Sequence, residues 1–130
     1  AECALQQGWT VTLLAEAQQD GTRALCGYLC YRMIPAPRAE MHIERLAVAQ
    51  RTRGRGHARQ LMQWALEEAT RLPPDVCSSL TCSAFDKVVP FYARFGFEVA
   101  PRPDAKAQDD EEPQTWMALA NASLLPQAAS

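Results

Sequence analysis

The sequence lacks most of the features that mark membrane-spanning, secreted or metal-binding proteins. No apolar run is long enough to cross a membrane, no secretory apolar segment precedes the cysteines, and no Cys-x-x-Cys pair occurs. The cysteines are odd in number and do not have metal-ligand spacing: Cys3, Cys26, Cys30, Cys77 and Cys82. These absences predict a reduced cytoplasmic protein without a metal site or a membrane partner.

The chain also lacks the strong positive charge of a general nucleic-acid binder, since its net charge is −2. Its 130 residues, with no internal repeat, predict a single domain over residues 1–130. The basic residues are nevertheless clustered, because five arginines lie within fifteen positions: Arg45, Arg51, Arg53, Arg55 and Arg59. Such a patch in a near-neutral protein suits one small polyanionic ligand better than a nucleic acid, although an Arg-rich nucleic-acid module is the alternative.

The most informative stretch is 40–72, which reads as a strand, an Arg/Gly-rich turn and an amphipathic helix. Apolar residues recur in the helix at three- and four-residue steps: Ala58, Leu61, Met62, Ala65, Leu66, Ala69 and Leu72. Pro73 and Pro74 end the helix, because neither can continue it. A Gly-rich turn that leads into a helix points unpaired backbone N–H groups and the positive helix end at an anion.

The turn lacks the motifs of nucleotide P-loops and dinucleotide-binding sites. It reads Arg53-Gly54-Arg55-Gly56-His57-Ala58, an R-x-x-G-x-A pattern that resembles the pyrophosphate-binding motif of the GNAT superfamily of acetyl-CoA-dependent N-acetyltransferases. A solvated loop ahead of an ordinary helix is the alternative interpretation. The resemblance implies acetyl-CoA as co-substrate. It implies these cofactor-binding residues: Leu46, Ala47, Val48, Arg53, Gly54, Arg55, Gly56, His57, Ala58, Arg59 and Tyr92.

Further elements follow the order of the GNAT fold. Residues 9–15 and 24–33 predict a hairpin, and further strands are predicted at 41–48, 76–82, 97–99 and 114–119, with a helix within 85–97. The acidic run 109–112 predicts a loop, and residues 120–130 a frayed tail. The resemblance covers about 9–119 and implies an α/β (α+β) fold, a mixed, mostly antiparallel sheet with flanking helices. In that fold the central strands splay apart, and a strand and two helices precede the hairpin, so the chain is predicted to be N-terminally shortened.

The segment P-F-Y-x-x-x-G-F around Tyr92 is a second signature, and it resembles arylalkylamine N-acetyltransferases in particular. Tyr92 matches the tyrosine that protonates the departing coenzyme A sulfur in the family. A helix tyrosine whose hydroxyl reaches water is the plainer interpretation. Phe85 departs from the pattern, because many members carry an asparagine at that place.

His42 and Glu44 are the candidate bases on the strand that leads to the turn. Period-two geometry puts both on one face, ~7 Å apart along the strand. His42 matches the first histidine of the H-x-H pattern in arylalkylamine acetyltransferases, and Glu44 the carboxylate that many other members use as base. The alternatives are a satisfied core histidine and a surface ion pair with an arginine. The resemblance also implies that backbone N–H groups of 46–48, at a β-bulge, hold the oxyanion.

Together these features predict an N-acetyltransferase that transfers the acetyl group of acetyl-CoA to a primary amine by direct attack in a ternary complex. The acidic run 109–112 favours a cationic acceptor, an arylalkylamine or a polyamine. A protein or peptide N-acetyltransferase and a non-catalytic acyl-CoA-binding domain are the alternatives. The protein is predicted to be a monomer or a homodimer.

Overall fold

The computed structural model describes residues 8–103 and 114–120, which form one six-stranded sheet with two helices. The elements are β1 (Trp9–Ala17), β2 (Arg23–Ile34), β3 (Glu40–Val48), α1 (His57–Arg71), β4 (Ser79–Phe85), α2 (Val89–Ala93), β5 (Glu98–Val99) and β6 (Gln114–Ala120). The strand order is β1-β2-β3-β4-β6-β5, in which β3 and β4 are parallel and the other pairs antiparallel. The predicted mixed, mostly antiparallel α/β fold is therefore confirmed.

The core lies between one face of the sheet and α1, whose apolar stripe follows the predicted periodicity. Met62, Ala65 and Ala69 are fully buried, and on the sheet they face a cluster that includes Leu29, Met41 and Ile43. Two alanines in this stripe let the helix approach the strands closely. Each fully buried Leu, Ile or Met side chain contributes about 1.5–3 kcal/mol to folding. Within the described residues, no helix is long and apolar enough to cross a membrane.

The two parallel strands separate halfway along their length. Their pairing runs from Glu40 opposite Ser79 to Ile43 opposite Cys82 and then ends. Beyond that point β3 continues to Val48 and β4 to Phe85 without pairing to each other. The splay that the resemblance implied is confirmed, and it opens a gap at the middle of the sheet.

A β-bulge lies at Glu44. Cys30 pairs with Arg45 and Tyr31 with Ile43, so Glu44 is the extra residue of β3. The prediction of a bulge within 46–48 is therefore wrong, because those residues pair regularly with 27–29. The physical reason is the side-chain pattern: uninterrupted alternation from Ile43 would turn Arg45 to the core, whereas the bulge brings Leu46 there instead.

The segment after α1 differs from the prediction. Residues 76–78 form a turn rather than a strand, because the backbone N–H groups of Val76 and Cys77 both donate to the carbonyl of Pro73, at 2.9 Å. The strand begins at Ser79 and extends to Phe85, three residues beyond the predicted end at residue 82. The helix itself is short: a 3₁₀ turn at Asp86–Val88 precedes α2. The acidic run 109–112 and the tail 121–130 lie outside the described residues.

Candidate active site

The turn between β3 and α1 is held by buried hydrogen bonds and ends in two left-handed glycines. The Thr52 hydroxyl, almost fully buried, donates to the carbonyl of Ala49 at 3.0 Å, and the Ala49 N–H donates to the carbonyl of Cys26 at 2.6 Å. Gly54 and Gly56 have φ of 85° and 82°, which favours glycine, and a Cβ on either would meet only open space. Gly56 caps α1 without any side-chain hydrogen bond, so the first N–H groups of the helix stay available to an anion.

The predicted phosphate-binding side chains do not all lie on the open side of this turn. The Arg55 side chain is 58% exposed, and its Nη1 lies 3.5 Å from Glu16 Oε1. Arg53 is exposed and donates from Nε to the carbonyl of Val48 at 3.4 Å. The His57 side chain is only 10% exposed and lies against Glu16, so it is placed away from a ligand on the open side.

A groove of about 590 Å³ lies between the two helices, next to the turn. It is lined by Arg59, Gln63 and Leu66 from α1 and by Phe91, Arg94 and Phe95 at and beyond α2. Arg59 was predicted as a cofactor ligand, whereas Gln63 and Arg94 were not. The four-residue step from Arg59 to Gln63 is a helical spacing that could have indicated Gln63. Arg94 comes to the groove only through the packing of the two helices.

The opposite face of the sheet carries a chain of hydrogen bonds that ends at His42. Arg38 donates to both carboxylate oxygens of Glu40, at 3.0 and 2.7 Å, and the Thr81 hydroxyl donates to Glu40 Oε2 at 2.6 Å. His42 Nδ1 lies 2.9 Å from Thr81 Oγ1. Because the Thr81 proton is directed to Glu40, Thr81 Oγ1 accepts from His42, which places the proton on Nδ1 and a lone pair on Nε2.

The ring of His42 is neutral at pH 7. Burial lowers its pKa to about 4, and Arg32, Arg38 and Arg102 act in the same direction, whereas Glu40 opposes them. His42 Nε2 lies 3.7 Å from Glu44 Oε2, too far for a direct hydrogen bond but close enough for one water or one amine nitrogen between them. The predicted placement of both side chains on one face is confirmed. The Glu44 side chain is 54% exposed, so the pair is reached from solvent.

A pocket of about 190 Å³ opens beside His42 and is lined mainly by arginine and tryptophan. Trp116 stacks on His42 with ring centroids 4.9 Å apart, and the Arg102 guanidinium lies 5.7 Å from the centre of the Trp116 ring. Arg32 lies over Trp9 at 4.6 Å. The Nε atoms of Arg32 and Arg102 are buried and have no hydrogen-bond partner within residues 8–103 and 114–120. The pocket therefore favours aromatic or anionic groups over additional cations.

Tyr92 lies on the other face of the sheet, close to the place where β3 and β4 separate. It is buried in the core with its ring edge-on to Phe91 and Phe97, at 5.2 and 5.6 Å. Burial raises the pKa of Tyr92 far above its ordinary value, with a smaller contribution from Cys82. Cys82 is the β4 residue of the last strand pair before the gap. The phenol is thus a protonated group beside the gap, opposite to His42.

Comparison with known proteins gives the chain its relatives. Residues 7–117 match the family described as "Acetyltransferase (GNAT) domain". A search of curated proteins finds no match. Similar solved structures include GCN5 from Tetrahymena, with a TM-score of 0.64 and 16% identity over 88% of this chain and 69% of that one.

Two further neighbours hold ligands according to their descriptions. The NatC complex bound to Gag peptide and CoA has a TM-score of 0.67 and 20% identity over 85% of this chain and 70% of that one. Arabidopsis thaliana Naa50 in complex with the bisubstrate analogue CoA-Ac-MVNAL has a TM-score of 0.56 and 19% identity over 72% of this chain and 64% of that one. At these identities the likeness is one of fold.

The low pKa of His42 predicts a stability loss in mild acid. The folded protein binds the His42 proton only near pH 4, whereas the unfolded chain binds it near pH 6.5, so stability is full above pH 6.5 and falls as the pH approaches 4. The His42 contribution is up to ~3 kcal/mol. Urea unfolding of the wild type and of His42→Gln between pH 4 and pH 7 checks this. The free energy of unfolding of the wild type should fall relative to that of His42→Gln as the pH is lowered from 7 to 4. A difference in unfolding free energy that stays constant over this interval would contradict the burial of a neutral His42.

Proposed function

Since the chain belongs to the GNAT acetyltransferase family and is an acetyl-CoA-dependent N-acetyltransferase, we propose that its acceptor is a small primary amine, acetylated by direct attack in a ternary complex. The observation that carries the proposal is the gap between β3 and β4. An anion-binding turn and the Tyr92 phenol lie on one side of this gap, and the His42–Glu44 pair lies on the other. For a thioester bound in the gap, the leaving sulfur would receive a proton from one face of the sheet. The attacking nitrogen would give up its proton on the opposite face.

The structure fits acetyl-CoA in three features. The turn 53–58 offers backbone N–H groups and a helix N-terminus to a pyrophosphate. The helix-lined groove next to it adds the cations Arg59 and Arg94. On the gap side, the stretch 44–48 of β3 has no strand partner among the described residues, so its backbone is available to a ligand amide. The bound cofactor supplies the activated acetyl thioester.

Glu44 is proposed as the base that accepts the proton of the incoming ammonium group. Its side chain is half-exposed and its carboxylate lies where the bulge aims it, next to the gap. His42 offers a lone pair on Nε2 to the same space, with its tautomer fixed by Thr81 and Glu40. An amine nitrogen, or a water that relays its proton, would be held between the two side chains. Neutral His42 then orients the nucleophile, while the Glu44 carboxylate accepts the proton and leaves the amine neutral.

Tyr92 is proposed as the acid that protonates the departing thiolate. Its raised pKa keeps the phenol protonated at all working pH values, as a proton donor must be before the reaction. Its position beside Cys82, at the last strand pair before the gap, brings it to the side of the cofactor turn. The Phe91 and Phe97 rings hold the phenol ring in place.

The acceptor is proposed to be an arylalkylamine rather than a polyamine. The pocket beside His42 presents the Trp116 ring and three guanidinium groups, Arg32, Arg38 and Arg102. Glu40 neutralises only Arg38, so a second ammonium group in this pocket would meet uncompensated positive charge. The acidic run 109–112, which favoured a cationic acceptor of either kind, lies outside the described residues. A peptide N-terminus is the second candidate, because the NatC neighbour is bound to a peptide and the Naa50 neighbour to a peptide-like analogue.

A panel of acceptors tests this proposal directly. Thiol release from acetyl-CoA should be faster with tryptamine or phenethylamine than with spermidine at equal concentration, because only spermidine brings further cations into the pocket. Arg32→Gln should reduce the difference in rate between tryptamine and spermidine. Arg23→Gln, which changes an exposed residue at the start of β2, should leave that difference unchanged. Faster turnover of short peptides than of these amines would show that the acceptor is a peptide and not a small amine.

The assignment of the cofactor turn predicts opposite results for two substitutions of Gly56. Asp and Asn both tolerate its left-handed backbone, but only Gly56→Asp places a carboxylate at the phosphate position. Acetyl-CoA should raise the melting temperature of the wild type and of Gly56→Asn, and the shift should vanish in Gly56→Asp. Thermal unfolding with and without acetyl-CoA measures this. Equal shifts in melting temperature in the Asp and Asn variants would show that the pyrophosphate does not bind at this turn.

The base assignment predicts a pH-dependent defect in Glu44→Gln. Its kcat/KM should fall at neutral pH and recover in part at high pH, as free amine accumulates in solution. Glu67→Gln, which removes the same charge from the exposed face of α1, is the control and should keep the wild-type pH–rate profile. His42→Gln should have the smaller effect. If His42→Gln loses the neutral-pH limb while Glu44→Gln keeps it, the base has been assigned to the wrong residue.

The acid assignment predicts that Tyr92→Phe lowers kcat by ~10²-fold or more while the affinity for acetyl-CoA stays nearly intact. The phenylalanine ring preserves the packing on Phe91 and Phe97, so the fold should survive. Tyr31→Phe, at a half-buried tyrosine that packs on Trp64, is the matched control. Near-normal turnover in Tyr92→Phe would show that the thiolate leaves without this proton.

A further inference from the structure

We propose that Glu16, Cys26 and His57 form a binding site for Zn²⁺ between the β1–β2 hairpin and the first turn of α1. One ligand atom from each residue, a carboxylate oxygen, a thiol sulfur and an imidazole nitrogen, lies within 4.8 Å of the other two. These are the donor types that Zn²⁺ prefers in proteins. The site lies outside the gap and uses none of the residues assigned to proton transfer.

His57 is the first sign of a missing ligand. Both of its ring nitrogens are shielded from solvent and have no hydrogen-bond partner within residues 8–103 and 114–120. An imidazole always carries at least one N–H donor, so such a burial leaves a polar group unsatisfied, which folded proteins avoid. Its Nε2 instead lies 3.8 Å from Glu16 Oε2. A metal ion between these two atoms would satisfy the lone pair of Nε2, and the ring N–H would then lie on Nδ1.

The position of Cys26 is the second observation that indicates a metal site, because a β-bulge redirects its side chain. Leu14 pairs with Gly27 and Ala15 with Leu25, so Cys26 is the extra residue of a β-bulge in β2. Bulges redirect a side chain that regular alternation would place elsewhere. Here the bulged residue is fully buried, and its sulfur is brought to Glu16 and His57. Cys30, four residues further along the same strand, belongs to the regular part of the β1–β2 ladder.

The separation of the His57 and Glu16 ligand atoms suits Zn²⁺ after a small side-chain rotation, and the Cys26 sulfur lies within 4.8 Å of both. Tetrahedral Zn²⁺ with bonds of ~2.0–2.3 Å holds neighbouring ligand atoms about 3.3–3.6 Å apart. The observed 3.8 Å between His57 Nε2 and Glu16 Oε2 is already close to that separation. A water would take the fourth position, as in three-ligand zinc sites. The Glu16 side chain, 43% exposed, provides the route by which the ion enters.

The charges also balance. One thiolate, one carboxylate and one neutral imidazole carry two negative charges, equal to the charge of Zn²⁺, and the thiol proton leaves to solvent on binding. Glu16 can serve two partners at once, since Oε1 faces Arg55 and Oε2 faces His57. The ion would therefore tie the hairpin both to the start of α1 and, through Glu16, to an arginine of the cofactor turn.

Cobalt substitution tests the site without using the transferase activity. Tag-free, reduced protein is stripped with chelator and titrated with Co²⁺, whose absorption reports thiolate ligation in the near ultraviolet and tetrahedral geometry in the visible. We expect one equivalent of Co²⁺ to give both bands, and Zn²⁺ to displace it. Cys26→Ser should abolish the thiolate band, while Glu16→Gln and His57→Gln should weaken Co²⁺ affinity by at least ~10-fold.

Cys30→Ser is the control and should keep the bands, because Cys30 lies outside the cluster. Circular dichroism verifies the fold of each variant, and Glu16→Gln changes a partly exposed side chain, so it keeps the test decisive if Cys26→Ser misfolds. Absence of both bands in the wild type at saturating Co²⁺ would overturn the proposal. So would bands that survive Cys26→Ser, an unchanged Co²⁺ affinity in Glu16→Gln, or bands that depend on Cys30.

Discussion

The structure depends on one constraint: β3 and β4 pair over four residues each and then separate. The paired half, from Glu40 to Ile43 and from Ser79 to Cys82, anchors the two strands in the core. Beyond it, β3 still pairs with β2 and β4 with β6, but the backbone groups that face the gap have no strand partner, which is costly in a folded protein unless water or a ligand satisfies them. A thread-like ligand with amide groups would satisfy this backbone, and coenzyme A has such an arm. The gap therefore relates the proposed position of the cofactor to the two proposed proton-transfer sites.

Thr81 connects the last paired residues to the chemistry. It lies on β4 directly opposite His42 on β3, and its single hydroxyl donates to Glu40 and accepts from His42. Both strands are fixed at this level, so the position and tautomer of His42 are set by the same pairing that ends one residue later. The Arg38–Glu40 ion pair completes the chain and gives the buried carboxylate a cationic hydrogen-bond donor. Removing any member would leave a polar group buried without its partner.

The sequence predicted what depends on local pattern and failed where distant segments meet. The strand, turn and helix of 40–72 follow from periodicity and glycine placement, and His42 and Glu44 share a face as period-two geometry requires. The bulge at Glu44 could not be located, since it results from keeping Arg45 off the core. Arg32 and Arg102 come from different segments, and only the sheet brings them to His42. The same holds for Glu16, Cys26 and His57, whose spacing along the chain does not have the pattern of a metal site.

The arginines show why local charge counts mislead about the acceptor. The cluster from Arg45 to Arg59 was interpreted as one patch for a polyanion, but its members diverge: Arg51 binds the carbonyl of Leu25, and Arg55 lies near Glu16. A second group of arginines, distant in sequence, surrounds the pocket beside His42, which is the proposed acceptor site. Positive charge thus lies on both sides of the gap. On the proposed cofactor side it would meet phosphates, whereas beside His42 it discourages additional cations and adds to the effect of burial, which lowers the pKa of the imidazole. Glu44 lies as a half-exposed carboxylate next to this positive pocket, so in the proposed mechanism a single ammonium group would be attracted to the residue that accepts its proton.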